Sequence, residues 1–379
     1  MRCNRKRGRL CRIQAVFLLV VFAACRWDVL ALSIDGSDIP QIQQDTGRVH
    51  AESELALAGA YLAGRGVQQN LRLAAYWYEK AAGHGDPVAQ NQIGYCYQTG
   101  LGVPEDPARA FHWYQLSASS GYIDGKVNLA VTYLYGIGVQ KNSETAEQLL
   151  LEAAEKGSGI ASAYLGEMYQ FGSGVQQDNG AAEKWYEKGI KLHSYLAAFR
   201  MGKILSRPNA HPRDLSRALS LFRQSASAGF VPAMHSAGLL LVNHPEIETS
   251  HDEALSYLNE AAKAGEWRSS LVLGALARDG KWVPQDPRAA YFHFRVAVLQ
   301  GGETASALMS NDFKVLAEKL SLGEETELDN EASTWAQAHD RRLVILYQDR
   351  KNGPAFGAFA LAMPESGSHA GSLVPVDPF

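Results

Sequence analysis

The feature that most constrains this chain is a four-residue turn that returns every 36 positions. Gly64-Arg65-Gly66-Val67 recurs as Gly100-Leu101-Gly102-Val103, Gly136-Ile137-Gly138-Val139 and Gly172-Ser173-Gly174-Val175, and at the same spacing Gly280-Lys281-Trp282-Val283 keeps the first glycine and the valine. A fixed period of this length means one supersecondary unit repeated in a row, each too small to bury both of its faces and completed by its neighbours. The register runs without insertion through seven copies.

Other columns at this spacing give each position a role. Alanine holds Ala74, Ala110, Ala146, Ala182, Ala218, Ala254 and Ala290 without exception, and a second small column runs Ser53, Ala89, Gly125, Ala161, Ala197, Ala233, Ser269. Large residues fill Tyr78, Tyr114, Leu150, Tyr186, Phe222, Leu258 and Phe294, so small and large positions interlock as close-packed helices require. The column Asn70, Asp106, Asn142, Asp178, Asp214, Ser250, Asp286 offers side chains that accept from the free N–H groups of a helix start. Pro107 and Pro287 follow it as first helical residues. Gly85, Gly121, Gly157, Gly229, Gly265 and Gly301 stand where each second helix ends, with His193 as the exception. Each unit therefore reads as a first helix such as 89–98, a tight turn, and a capped second helix such as 107–119. The fold class is all-α, an α/α solenoid of helical hairpins wound into a right-handed superhelix.

The pattern Leu165-Gly166-x-x-Tyr169-x-x-Gly172-x-Gly174-Val175, followed by Ala182 and Trp185-Tyr186, resembles the SEL-one-like repeat family, relatives of the tetratricopeptide repeats. Trp77-Tyr78 and Trp113-Tyr114 repeat the aromatic dipeptide. The resemblance covers about residues 51–302 and implies an adaptor for protein complexes, often exported in bacteria. Some relatives are cysteine-rich and act on β-lactams. Here Cys96 is the one cysteine beyond the N-terminal segment, which argues against that branch. Periplasmic repeat proteins that regulate exopolysaccharide synthesis are a closer analogy in layout.

The start of the chain has six basic residues among its first twelve, a largely apolar run from Ile13 to Ala24, and small residues ending near Ala31. This is the layout of a secretion signal over residues 1–31, with an apolar run too short for the roughly 20 residues that cross a bilayer. Cleavage after Ala31 is one route. Phe22-Ala23-Ala24-Cys25 offers a second, in which Cys25 would be lipidated, although Phe22 suits the first position of such a box poorly. Export, periplasmic or secreted, follows from either route, and the membrane enters only through the signal segment or a lipid anchor. Residues 32–50 read as a linker, 303–343 as capping helices that lack the repeat columns, and 344–379 as a disordered tail.

The formal net charge of −4 becomes −10 once the six N-terminal basic residues are set aside, a poor balance for binding nucleic acid. No histidine pair has the spacing of a zinc motif, the Gly-x-Gly segments join helix to helix where nucleotide loops join strand to helix, and no serine elbow or Cys–His pair stands out. The expectation is a non-enzymatic protein without cofactor or metal whose partners are proteins. The alternative is a secreted enzyme or binder acting on cell-wall or β-lactam-like substrates. First helices commonly line the concave face of such arrays. The variable first-helix columns Gln92, Asn128, Tyr164, Arg200 and Tyr95, Glu167, Lys203 are the candidate partner-binding residues. Repeats five and six replace the glycine turn by Pro208-Asn209-Ala210-His211 and His244-Pro245-Glu246-Ile247, which reads either as drift in tolerant surface turns or as a groove reshaped for a partner; a specialised site, if the solenoid has one, is expected around residues 200–260.

Overall fold

A computed structural model describes residues 51–339, apart from Asn209 and Thr249. The signal segment with Cys25, the linker and the tail beyond residue 339 lie outside the described residues. What is described is helical, fifteen helices in chain order. They pair as α1 (Ala51–Ala63) with α2 (Leu71–Gly83), α3 (Pro87–Thr99) with α4 (Pro107–Ser119), α5 (Ile123–Tyr135) with α6 (Ser143–Glu155), and α7 (Gly159–Phe171) with α8 (Asn179–Lys191). The pairing continues with α9 (Tyr195–Leu205) and α10 (Pro212–Ser227), α11 (Val231–Asn243) and α12 (His251–Lys263), and α13 (Trp267–Asp279) with α14 (Pro287–Ala317); α15 (Leu322–Ala338) follows.

Helix ends are set by the residues that the repeat spacing singles out. Asn70, Asp106, Asn142 and Asp178 each accept from a backbone N–H three residues on, at 3.0–3.1 Å. A second set of caps, Asp86, Ser158 and Ser194, starts first helices in the same way. Two assignments of second-helix caps fail. Pro212 at the first helical position starts α10 early, with His211 Nδ1 accepting from the Arg213 N–H at 3.2 Å, so Asp214 lies inside the first turn. Ser250 precedes α12 but makes no side-chain cap bond. At the C-terminal ends Gly85, Gly121, Gly157, Gly229 and Gly265 take left-handed φ, and His193 takes it too, at 58°. In repeat seven the break falls at Gly302 (φ 62°), one residue after the expected Gly301, because α14 runs one residue further.

Two glycines show why the period tolerates no slip. A Cβ on Gly166 would stand 2.6 Å from Tyr186 Cε1, so the missing side chain makes the socket for the large residue of the second helix. Gly94, Gly202, Gly238 and Gly274 do the same for Tyr114, Phe222, Leu258 and Phe294. Gly102, second in its turn, lies against the Leu71 carbonyl at the start of the preceding repeat's second helix, where any Cβ would collide with backbone. The turns of repeats two to four are thus seated on the repeat before them. In repeat seven Trp282 takes this place at φ 68°, and its ring stacks on His251, the first residue of α12, with centroids 4.2 Å apart.

The altered turn of repeat six is fastened by charge. Arg223 on α10 donates to both Glu248 oxygens (3.0 and 2.7 Å) and from Nε to Glu253 (2.8 Å). The repeat columns also run past residue 302, contrary to expectation. Ala305 and Met309, 36 residues after Ser269 and Leu273, are buried at the same register. The second half of α14 is therefore an eighth first helix, tied to α13 by the Arg278–Asp312 ion pair. Its partner α15 begins with a Ser321–Glu324 capping box and buries Leu328 and Ala332, whereas Asn330, in the large column, is exposed. The repeat ends here because the helix has rotated to close the core.

Candidate interaction surface

First and second helices have different exposures. In α8 only Ala182, Tyr186 and Gly189 are buried, whereas α7 buries seven of its thirteen residues. Successive first helices also touch each other, α3 with α5, α7 with α9 and α11 with α13, and no pair of second helices makes a comparable set of contacts. The first helices therefore lie on the inside of the curve, sandwiched between neighbours.

Where they reach solvent it is along a narrow line spaced i, i+3 and i+7, interrupted by buried positions such as Val131 and Ala275. All seven candidate residues fall on this line, but the packing closes over three of them. Gln92 and Asn128 are each 4% exposed and Tyr164 3%. Asn128 Nδ2 donates to Asn91 Oδ1 at 2.8 Å between α5 and α3, and Tyr164 is wedged between first helices, where burial pushes its hydroxyl far above the usual range. Asn128 and Tyr164 hold adjacent repeats together, and none of the three is available to a partner. Their polarity in the sequence signals a satisfied buried contact for Asn128. Tyr95 is half-buried on the line.

The remaining candidates come together. Tyr135 Oη on α5 donates to Glu167 Oε1 on α7 at 2.9 Å, and Arg200 Nη2 on α9 stands 2.9 Å from Glu167 Oε2. These three residues span repeats three to five. Glu167 is 14% exposed and Arg200 32%. Burial alone would pull the Arg200 guanidinium down; Glu167 and the neighbouring tyrosines outweigh it and hold it above its ordinary value. Arg200 Nε has no hydrogen-bond partner among the described residues. Lys203 is exposed one turn further along.

Three line residues escaped the sequence reading: Tyr135, Phe171 and Arg207, one column spaced by 36, Phe171 being 60% exposed. They sit at or just past the ends of first helices, where residues read as turn punctuation; the signal that finds them is the i+7 spacing from Asn128, Tyr164 and Arg200. Across the line, His235 on α11 shares a 2.9 Å hydrogen bond with Ser269 Oγ on α13. Burial, then the charges of Arg268 and Lys203, lower it to about 4. His244 pairs with Glu246 at 2.8 Å, and Cys96 is buried with its thiol pushed up to about 12 by desolvation. Among the described residues no three His, Cys, Asp or Glu side chains are grouped to hold a metal ion, and no helix is long and apolar enough to cross a membrane.

A family model for the Sel1 repeat matches seven times, at residues 51–86, 87–122, 123–158, 159–194, 196–230, 233–266 and 271–302, in step with the first seven hairpins. The chain belongs to the Sel1 repeat family. Sel1 repeat proteins are typically protein-interaction scaffolds. A stretch of 80 residues is 38% identical to the alginate biosynthesis protein AlgK of Pseudomonas aeruginosa, covering 21% of this chain and 16% of that one. Among solved structures, the Sel1 repeat protein of Oxalobacter formigenes is 26% identical over 60% of this chain and 94% of its own, with a TM-score of 0.48. The protective antigen c5321 of uropathogenic Escherichia coli is 20% identical over 83% of this chain and 74% of its own, with a TM-score of 0.42.

Proposed function

We propose that this Sel1 repeat protein is a non-enzymatic, exported adaptor that holds a partner protein along the inner line of its first helices, in an envelope assembly or signalling complex of the kind that governs exopolysaccharide production. The observation that carries this reading is the line itself: an interrupted strip of variable residues on the first helices, accessible at Tyr95, Tyr135, Phe171, Lys203, Arg207 and Leu239, while the columns around it stay small or apolar. A packed scaffold with one variable strip is the arrangement that a selective surface needs. The N-terminal signal pattern supports export, and the stretch shared with an alginate biosynthesis protein supports the exopolysaccharide setting.

Site-specific crosslinking tests it. A benzophenone amino acid at Leu239, on the inner line, should crosslink one envelope protein in intact cells, and the same group at Lys184 on the exposed side of α8 should not. Equal crosslinking from both positions, or none from Leu239, overturns the reading.

A further inference from the structure

The inner line of α9 is unlike that of the other first helices. Arg200 and Lys203 stand at i and i+3 on one face, and Arg207 follows two residues past the end of the helix, so three cations gather within eight residues. The same positions are Gln92, Tyr95 and Thr99 on α3 and Ser236, Leu239 and Asn243 on α11, all uncharged. The rest of the chain, set apart from its N-terminal segment, is acidic, so the concentration of positive charge here is local. Only one of the three cations is compensated. Glu167 holds Arg200, whereas Lys203 and Arg207 are exposed and have no carboxylate within ion-pairing distance among the described residues. On the neighbouring first helix α7, Phe171 is, at 60%, one of the most exposed large apolar side chains among the described residues. On the other side the line continues into half-buried Leu239.

We propose that the inner face over α7 and α9 takes an extended acidic peptide segment of a partner protein, its carboxylates pairing with Lys203 and Arg207 and an adjoining apolar side chain lying on Phe171. The proposal rests on reading the inner line as the partner-binding surface. Arg200 adds its field without leaving Glu167, which fixes where the positive edge begins. Lys203 and Arg207 are four residues apart, so the chain between them reaches at most about 14 Å, the length of about four residues of extended chain, and two carboxylates in one short segment suffice. A polyanion such as a nucleic acid or a uronic acid chain repeats its charge along its whole length and calls for cations on many repeats. Here they are confined to one repeat and flanked by Phe171 and Leu239, which suits a peptide.

The test uses the mature protein and a fluorescein-labelled peptide carrying two aspartates next to a leucine, with an asparagine version and an oligouronate as controls. The acidic peptide should bind with an affinity that falls as salt rises. The double variant Lys203→Glu/Arg207→Glu should bind it at least about tenfold more weakly, with an unchanged melting temperature because both side chains are exposed. Phe171→Ala should weaken binding as well. Equal binding of acidic and neutral peptides, equal binding by the double variant, or a preference for the oligouronate overturns the proposal. If the peptide fails while Leu239 still crosslinks its partner, the charge reading falls alone; if both fail, the inner-line reading falls with it.

Discussion

Among single residues, the buried histidines carry the clearest consequence for conditions outside the molecule. His235 and His293 are both lowered to about 4, chiefly by burial. The groups facing His235 are Lys203 on α9 and Arg268 and Ser269 on α13, none of which can compensate a positive imidazole. A histidine whose folded value is depressed binds its proton more readily in the unfolded chain. Its contribution to stability is therefore complete above about pH 6.5 and is lost as the pH falls from there toward 4. Each such histidine should steepen the decline by on the order of 1.4 kcal/mol per pH unit in that window. Melting temperature against pH checks this: His235→Gln should show a shallower fall than the parent between pH 6.5 and 4.5, and parallel curves would refute it. Much at this scale was readable in the sequence, since the caps Asn70, Asp106, Asn142 and Asp178 bond where their spacing implied. The burial of Gln92, Asn128 and Tyr164 was not readable. Variable polar residues look the same whether they face a groove or bridge two helices, and only the distance between α3 and α5 decides.

Helix ends decide the second scale. Five second helices stop at a left-handed glycine, and α8 stops instead at His193, at φ 58°. A residue with a Cβ is held there against its preference. Replacing it by glycine, His193→Gly, should raise stability by about 1 kcal/mol, measured by urea unfolding; a loss of stability would mean that the His193 side chain contributes a contact worth more than the strain. The turns of repeats five and six illustrate what a single sequence hides at this level. Their departure from Gly-x-Gly-Val marked the region as unusual, and it is, but the reasons are particular. Repeat six replaces a glycine seat by the Arg223–Glu248–Glu253 network, whose members are 25 and 30 residues apart and share no repeat column. Repeat five begins its second helix early at Pro212. The cationic line of α9 was only partly visible, because Arg207 lies beyond the helix end and belongs to no conserved-looking column.

For the molecule as a whole, the eighth hairpin is the piece that the repeat pattern concealed. Ala305 and Met309 keep the register, but α15 presents Leu328 and Ala332 in place of the aromatic column, so the family pattern stops at 302 while the packing does not. Met309, Leu316 and Leu328 bury against Tyr291 and Phe294 of repeat seven. Ending the chain at Gly302 should remove on the order of 5 kcal/mol of apolar burial, and the loss should be local. Hydrogen exchange should show α13 and the first half of α14 losing protection while α1 to α6 keep theirs. Uniform loss along the array would mean that it unfolds as one body.

The seating of turns on the repeat before them reaches beyond stability into how such a chain is inherited. Gly102 rests on the Leu71 carbonyl, Gly138 on that of Pro107 and Gly174 on the Ser143 side chain, each 31 residues back. A gene segment copied in whole frames lands every new turn on a ready seat, wherever the copy begins. A copy of part of a frame leaves one turn over a side chain and one seat empty, damaging two neighbours at a stroke. The unbroken 36-residue register of this chain is what such a constraint would leave.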